Sequence, residues 1–113
     1  MKSVLFASLL LTAAPAFSSE LTPLQIFVAN RASTRCVVEM GLASMKQAVK
    51  AETKKAQEMG LTKQQYLNFN SASGDTQWVG LQVEDLIQRM GGCQKVWSDI
   101  QRRKQVERPS YQL

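Results

Sequence analysis

The side chains able to carry acid–base, metal or redox chemistry are few. Histidine is absent, which removes the usual general base near neutral pH and the commonest nitrogen ligand of zinc. The carboxylates Asp75, Glu84, Asp85 and Asp99 are then the candidate acids and bases, and a two-carboxylate hydrolase needs a pair of them facing one cleft. Their spacing argues against it. Glu84 and Asp85 are adjacent, so on a helix they point in different directions. Asp99 stands four residues after Lys95 and four before Arg103, the separation at which a helix pairs opposite charges on its surface. No catalytic residue, cofactor or metal site is expected. Met40, Met45, Met59 and Met90 recur at helical spacing and are expected to fill a core, not to bind copper.

Cys36 and Cys93 are the two cysteines. Redox catalysis calls for a Cys-x-x-Cys pair with a lowered thiol pKa, and these two lie far apart. In an oxidising compartment such a pair closes, so a structural Cys36–Cys93 disulfide is expected.

The amino end points to that compartment. Lys2, the apolar run at residues 4–11, then Ala14, Pro15 and Ala16 make the charged, apolar and small-residue parts of a secretory signal peptide. Cleavage is expected after Ala16, with a rival position after Ser18. The run is shorter than the about 20 residues that span a bilayer. Residues 1–16 are thus read as a leader, 17–108 as one helical domain and 109–113 as a frayed tail, with no transmembrane segment once the leader is removed. The expected location is the periplasm or outside the cell.

The remaining chain must position whatever surface does the work. Its composition is 44% apolar and 20% charged, in ordinary globular proportion, and rich in helix formers. The fold class expected is all-α, a small disulfide-clipped bundle of three to five helices. Thr22-Pro23-Leu24-Gln25 is a capping box with proline at the first helical position, and helical periodicity runs from there to about Met59, with Gly41 as a break point. Val38, Leu42, Met45, Val49 and Ala56 line one side of that pattern. Ile26, Ala29, Ser33, Cys36, Ala48 and Ala51 belong to a second arc of mostly small residues. So broad an apolar surface predicts a central helix.

Thr62-Lys63-Gln64-Gln65 is a second capping box. A polar stretch at residues 70–75 then leads to a helix capped by Asp75 or Thr76 and carrying Val79, Val83, Leu86, Ile87 and Met90. Gly91 and Gly92 mark either a kink or a junction of two helices, and Pro109 ends the last one.

Two surfaces are candidates for recognition. Tyr66, Phe69, Asn70 and Trp78 flank the polar stretch and form an aromatic platform with hydrogen-bonding neighbours, the candidate partner surface. Arg31, Arg35, Lys46, Lys50 and Lys54 fall along one side of the first helical pattern, the candidate face for an anionic partner, with Glu39 placed to pair with Arg35. Fourteen Lys and Arg against nine Asp and Glu give +5, a modest surplus. Lys95, Arg102, Arg103, Lys104 and Arg108 gather in the last helix, where cations oppose the negative end of the helix dipole. Nucleic acid is not an expected partner; a protein is, with an anionic envelope component as the second class. The function expected is that of a noncatalytic exported protein that binds another macromolecule, in an accessory, chaperone-like or inhibitor-like role. A small cell-envelope hydrolase using carboxylates and a purely structural envelope component are the alternatives.

Overall fold

The computed structural model describes residues 21–107, which form five helices: α1 (Pro23–Glu39), α2 (Met45–Glu58), α3 (Lys63–Ser71), α4 (Trp78–Met90) and α5 (Cys93–Glu107). No strand occurs among the described residues, and no described helix is long and apolar enough to cross a membrane. The expected leader at residues 1–16, both cleavage positions, Pro109 and the tail at residues 109–113 lie outside the described residues.

The capping boxes expected from sequence start α1 and α3. The Thr22 and Thr62 hydroxyls each accept the backbone N–H three residues on, and Gln25 and Gln65 reach back to the cap N–H. A third box, Ser44 with Gln47, starts α2. It was hidden inside the continuous pattern read from residue 23 to about 59.

That pattern is two helices. Gly41 adopts φ 72°, a left-handed conformation that glycine reaches without a Cβ clash, and the Leu42 N–H turns back to the Val37 carbonyl at 2.9 Å in a Schellman-type stop. The stripe expected to run through Leu42 and Met45 is therefore interrupted. Leu42 is 50% and Met45 59% exposed, so Met45 does not fill the core, and Met59 is also exposed.

α1 is the central element, as its broad apolar surface required. It packs against each of the other four helices. Ile26, Phe27 and Val28 are consecutive and all buried, which only a helix covered on several sides allows. α2 approaches through the ridge Ala48, Glu52, Ala56, one residue per turn, and two of the three are small. α4 contributes Val79, Val83 and Ile87, and α5 contributes Val96. The Cys36–Cys93 disulfide joins α1 to the first residue of α5, with Cα atoms 5.1 Å apart. A loop of this size stabilises by about 4 kcal/mol through lost chain entropy in the unfolded state.

The start of α4 differs from expectation. Its N-cap is Gln77, without a side-chain cap bond, in place of Asp75 or Thr76. The reason is backbone chemistry: the Ala72 carbonyl at the end of α3 accepts the N–H groups of Val79 (3.1 Å) and Gly80 (3.4 Å), the donors an N-cap side chain would otherwise satisfy. Gly91 and Gly92, with φ 102° and 101°, separate α4 from α5, so the glycine pair is a junction.

The α3–α4 turn comes so close to α4 that residue 80 has no room for a side chain. A Cβ there would lie 1.9 Å from the Gly74 carbonyl oxygen and 2.8 Å from that of Ser73. Gly80→Ala is expected to cost about 3 kcal/mol, measured by urea denaturation of the oxidised protein. A loss within the usual surface range of about 0.5 kcal/mol would contradict this packing.

Candidate functional site

The one buried charge in the core of the described residues is Glu52, 3% exposed. It sits on the α2 ridge between Ala48 and Ala56, and it is buried because Arg31 of α1 meets it. Arg31 Nε and Nη2 donate to the two carboxylate oxygens, each at 2.8 Å, the planar fork that suits guanidinium to carboxylate. The Tyr66 hydroxyl of α3 donates to the same carboxylate, and the buried Thr34 side chain adds to the polar surroundings that favour its charge. Arg31 continues outward to Asn70 Oδ1 at 2.7 Å and Ser73 Oγ at 2.9 Å, and its guanidinium lies 4.8 Å from the Phe27 ring centre. One arginine thus ties α1 to α2, to α3 and to the turn after α3.

The protonation states follow. Burial alone would push the Glu52 carboxyl up, but the hydrogen bonds from Arg31 and Tyr66, with the polar Thr34 side chain nearby, outweigh it and hold the group below its ordinary 4.5. Burial and the neighbouring Glu52 carboxylate push the Tyr66 phenol above its ordinary value, so it stays a donor. Burial opposes the Arg31 charge, and the bond and charge of Glu52 overcome it, raising its pKa. Glu52 is therefore a fixed anion with its oxygens engaged.

This network floors an open groove of about 900 Å³. Its bed is α1, with Arg31, Thr34, Arg35 and Val38. Met45, Val49 and Thr53 of α2 form one wall. Tyr66, Asn70, Asp75 and Glu84 bound it from the α3 and α4 side. Tyr66 and Asn70 of the expected aromatic platform and Arg31 and Arg35 of the expected basic face thus converge here.

The other expected site residues lie elsewhere. Phe69 packs between Phe27 and Trp78, with ring centres 5.7 Å and 6.4 Å away. It caps the core and does not line the groove. Trp78 is 54% exposed and is the member of the platform that offers apolar surface. Lys46, Lys50 and Lys54 are exposed and follow one residue after Met45, Val49 and Thr53, which turns them toward the outer flank of α2. Arg35 does not pair with Glu39: its Nη1 donates to Glu84 at 2.9 Å, and Asp75 stands 3.9 Å away. Asp99 bonds Arg103 at 2.7 Å and also Arg102, and the bond from Arg103 holds it below its ordinary value.

Sequence reasoning missed Glu52. Its signal was the i, i+4, i+8 run of Ala48, Glu52 and Ala56, an acid in phase with buried alanines, but the surrounding lysines made it look like one more solvated charge. Among the described residues no group of three or more Cys, Asp and Glu is placed to hold a metal ion. The chain matches no family model, no curated protein and no solved structure.

Glu52→Gln should cost about 3 kcal/mol by leaving the Arg31 charge uncompensated in a desolvated place, and Tyr66→Phe about 1 kcal/mol, both read from chemical denaturation. The folded Glu52 pKa lies below the unfolded one, so its contribution is complete above pH 4.5 and is lost as pH falls through the folded value. The stability gap between wild type and Glu52→Gln should narrow as pH drops below that point. A gap of constant size from neutral pH down to about 3 would contradict the assignment of Glu52 as a bonded anion.

Proposed function

We propose that the protein is exported, is not an enzyme, and acts by binding another macromolecule, foremost a protein, in the groove across α1. The observation that carries this reading is the groove itself: an open surface whose apolar and charged side chains converge from four helices over a floor locked by Arg31 and Glu52. A preorganised floor lowers the entropy lost on association. The leader read from residues 1–16 and the Cys36–Cys93 bridge support a periplasmic or extracellular location, where such bridges persist. The hydrolase alternative asks Glu84 or Asp99 to serve as acid or base. Arg103 holds Asp99 below its ordinary value, and Glu84 accepts bonds from Arg35 and from Gln88 at 3.0 Å, contacts that favour a structural role for both.

Two measurements test this. With a photo-crosslinking amino acid in place of Met45, irradiation of intact cells should give discrete protein adducts, whereas the same probe at the exposed Lys63, outside the groove lining, should not. Equal labelling at both positions would reject the groove as a binding surface. Fractionation should place the mature, oxidised chain outside the cytoplasm. Recovery of the full precursor with free thiols from the cytosol would reject export.

A further inference from the structure

Resting on the reading of the groove as a binding surface, we infer that its occupant is a basic peptide segment of a partner protein, anchored by apolar residues along one edge. The chain carries +5, yet the groove reverses that sign. Its lining holds Arg31 and Arg35 against Glu39, Asp75 and Glu84, with Glu52 beneath. Both arginine charges are committed, Arg31 to Glu52 and Arg35 to Glu84, so an incoming anion would have to displace charge-assisted bonds already made. Two carboxylates remain to a ligand. The Asp75 side chain is 97% exposed and 3.9 Å from its nearest cation, and Glu39 makes no ion pair among the described residues.

The distribution also orients the occupant. The apolar side chains Val38, Met45 and Val49 lie on α1 and the α2 wall, and Asp75 and Glu84 lie toward α4. The exposed lysines of α2 disfavour cations along that wall, so the basic residues of the ligand face Glu39 at the end of α1 and Asp75 and Glu84 toward α4. Met45, long and unbranched, adapts to apolar anchors of different shape. A volume of about 900 Å³ is near the upper end for small-molecule pockets, about 300–1,000 Å³, and the groove is open to solvent. It therefore takes the side chains of a segment laid along it.

The probe is a fluorescein-labelled helical peptide of leucine and lysine, compared with its leucine and glutamate counterpart, added to the oxidised mature protein and followed by fluorescence anisotropy at physiological salt. The lysine peptide should bind and the glutamate peptide should not. The double variant Glu39→Gln/Asp75→Asn should weaken binding about tenfold, as expected for lost electrostatic complementarity, and Met45→Asn, which removes apolar surface without adding charge, should weaken it similarly. Asp85→Asn, which removes the same kind of charge from a residue outside the groove lining, should leave it unchanged. Equal loss with Asp85→Asn and with the groove variants would overturn the inference, because net charge alone would then explain binding. So would equal binding of the two peptides, or displacement of the lysine peptide by spermine at equal charge concentration. Self-association of the free protein that Met45→Asn abolishes would assign the groove to a second copy and equally overturn it. If the Met45 crosslinks persist while the lysine peptide fails to bind, the basic specificity falls and the binding surface stands; if both are absent, the surface falls too.

Discussion

A carboxylate taken out of water must be matched on every side or it protonates or opens the structure, and in this protein that constraint is Glu52. Everything near it is arranged to meet the demand. Arg31 supplies two donors and Tyr66 a third, and each comes with the helix that carries it. The pair adds little net stability by itself, because desolvation consumes most of the Coulomb gain. Its effect is to specify: α2 and α3 can sit in only one register against α1 if the carboxylate is to keep its partners. α3 illustrates the point, since none of its residues is fully buried and it depends on Tyr66, Asn70 and the contact of Phe69 with Phe27 for its place.

The other side of α1 is fastened differently. Cys36 follows Arg31 by five residues, about 140° around the helix at 100° per residue, so the covalent bridge to α5 and the ionic lock to α2 act on nearly opposite faces. Between them the apolar core of Phe27, Ala32, Val79, Val83 and Val96 needs only modest size to hold the domain. The groove opens on the ionic face, where polar residues bound to one another leave room above them that close-packed aliphatic side chains would have filled.

Much of the fold was legible in the sequence, and the reasons differ from element to element. The Thr22 and Thr62 boxes were readable because capping is local chemistry confined to four residues. The disulfide was readable because only one pairing exists. The break at Gly41 stayed ambiguous because Val38, Leu42, Met45 and Val49 keep helical phase straight across it, although the chain there turns away. The cap of α4 has no sequence signal because its acceptor is the Ala72 backbone carbonyl, which carries no residue signature. Helical spacing places Glu39 to pair with Arg35, whereas its partner Glu84 lies 49 residues on, beyond the reach of any local rule. The site was half visible: Arg31, Arg35, Tyr66 and Asn70 stood out individually, but the acid that gathers them did not, because burial of a single glutamate among lysines is decided by tertiary contact.

The Cys36–Cys93 bond encloses all of α2, α3 and α4 in a covalent ring. The exposed turn at residues 74–77, the natural place for a protease to enter, falls inside that ring. A cut there divides the backbone without releasing either piece, and the Arg31–Glu52 contact holds the first segment of the ring in place from within. In a milieu rich in hydrolases, the molecule can survive a broken peptide bond as one particle, with its groove walls still tethered, for as long as its sulfurs stay joined.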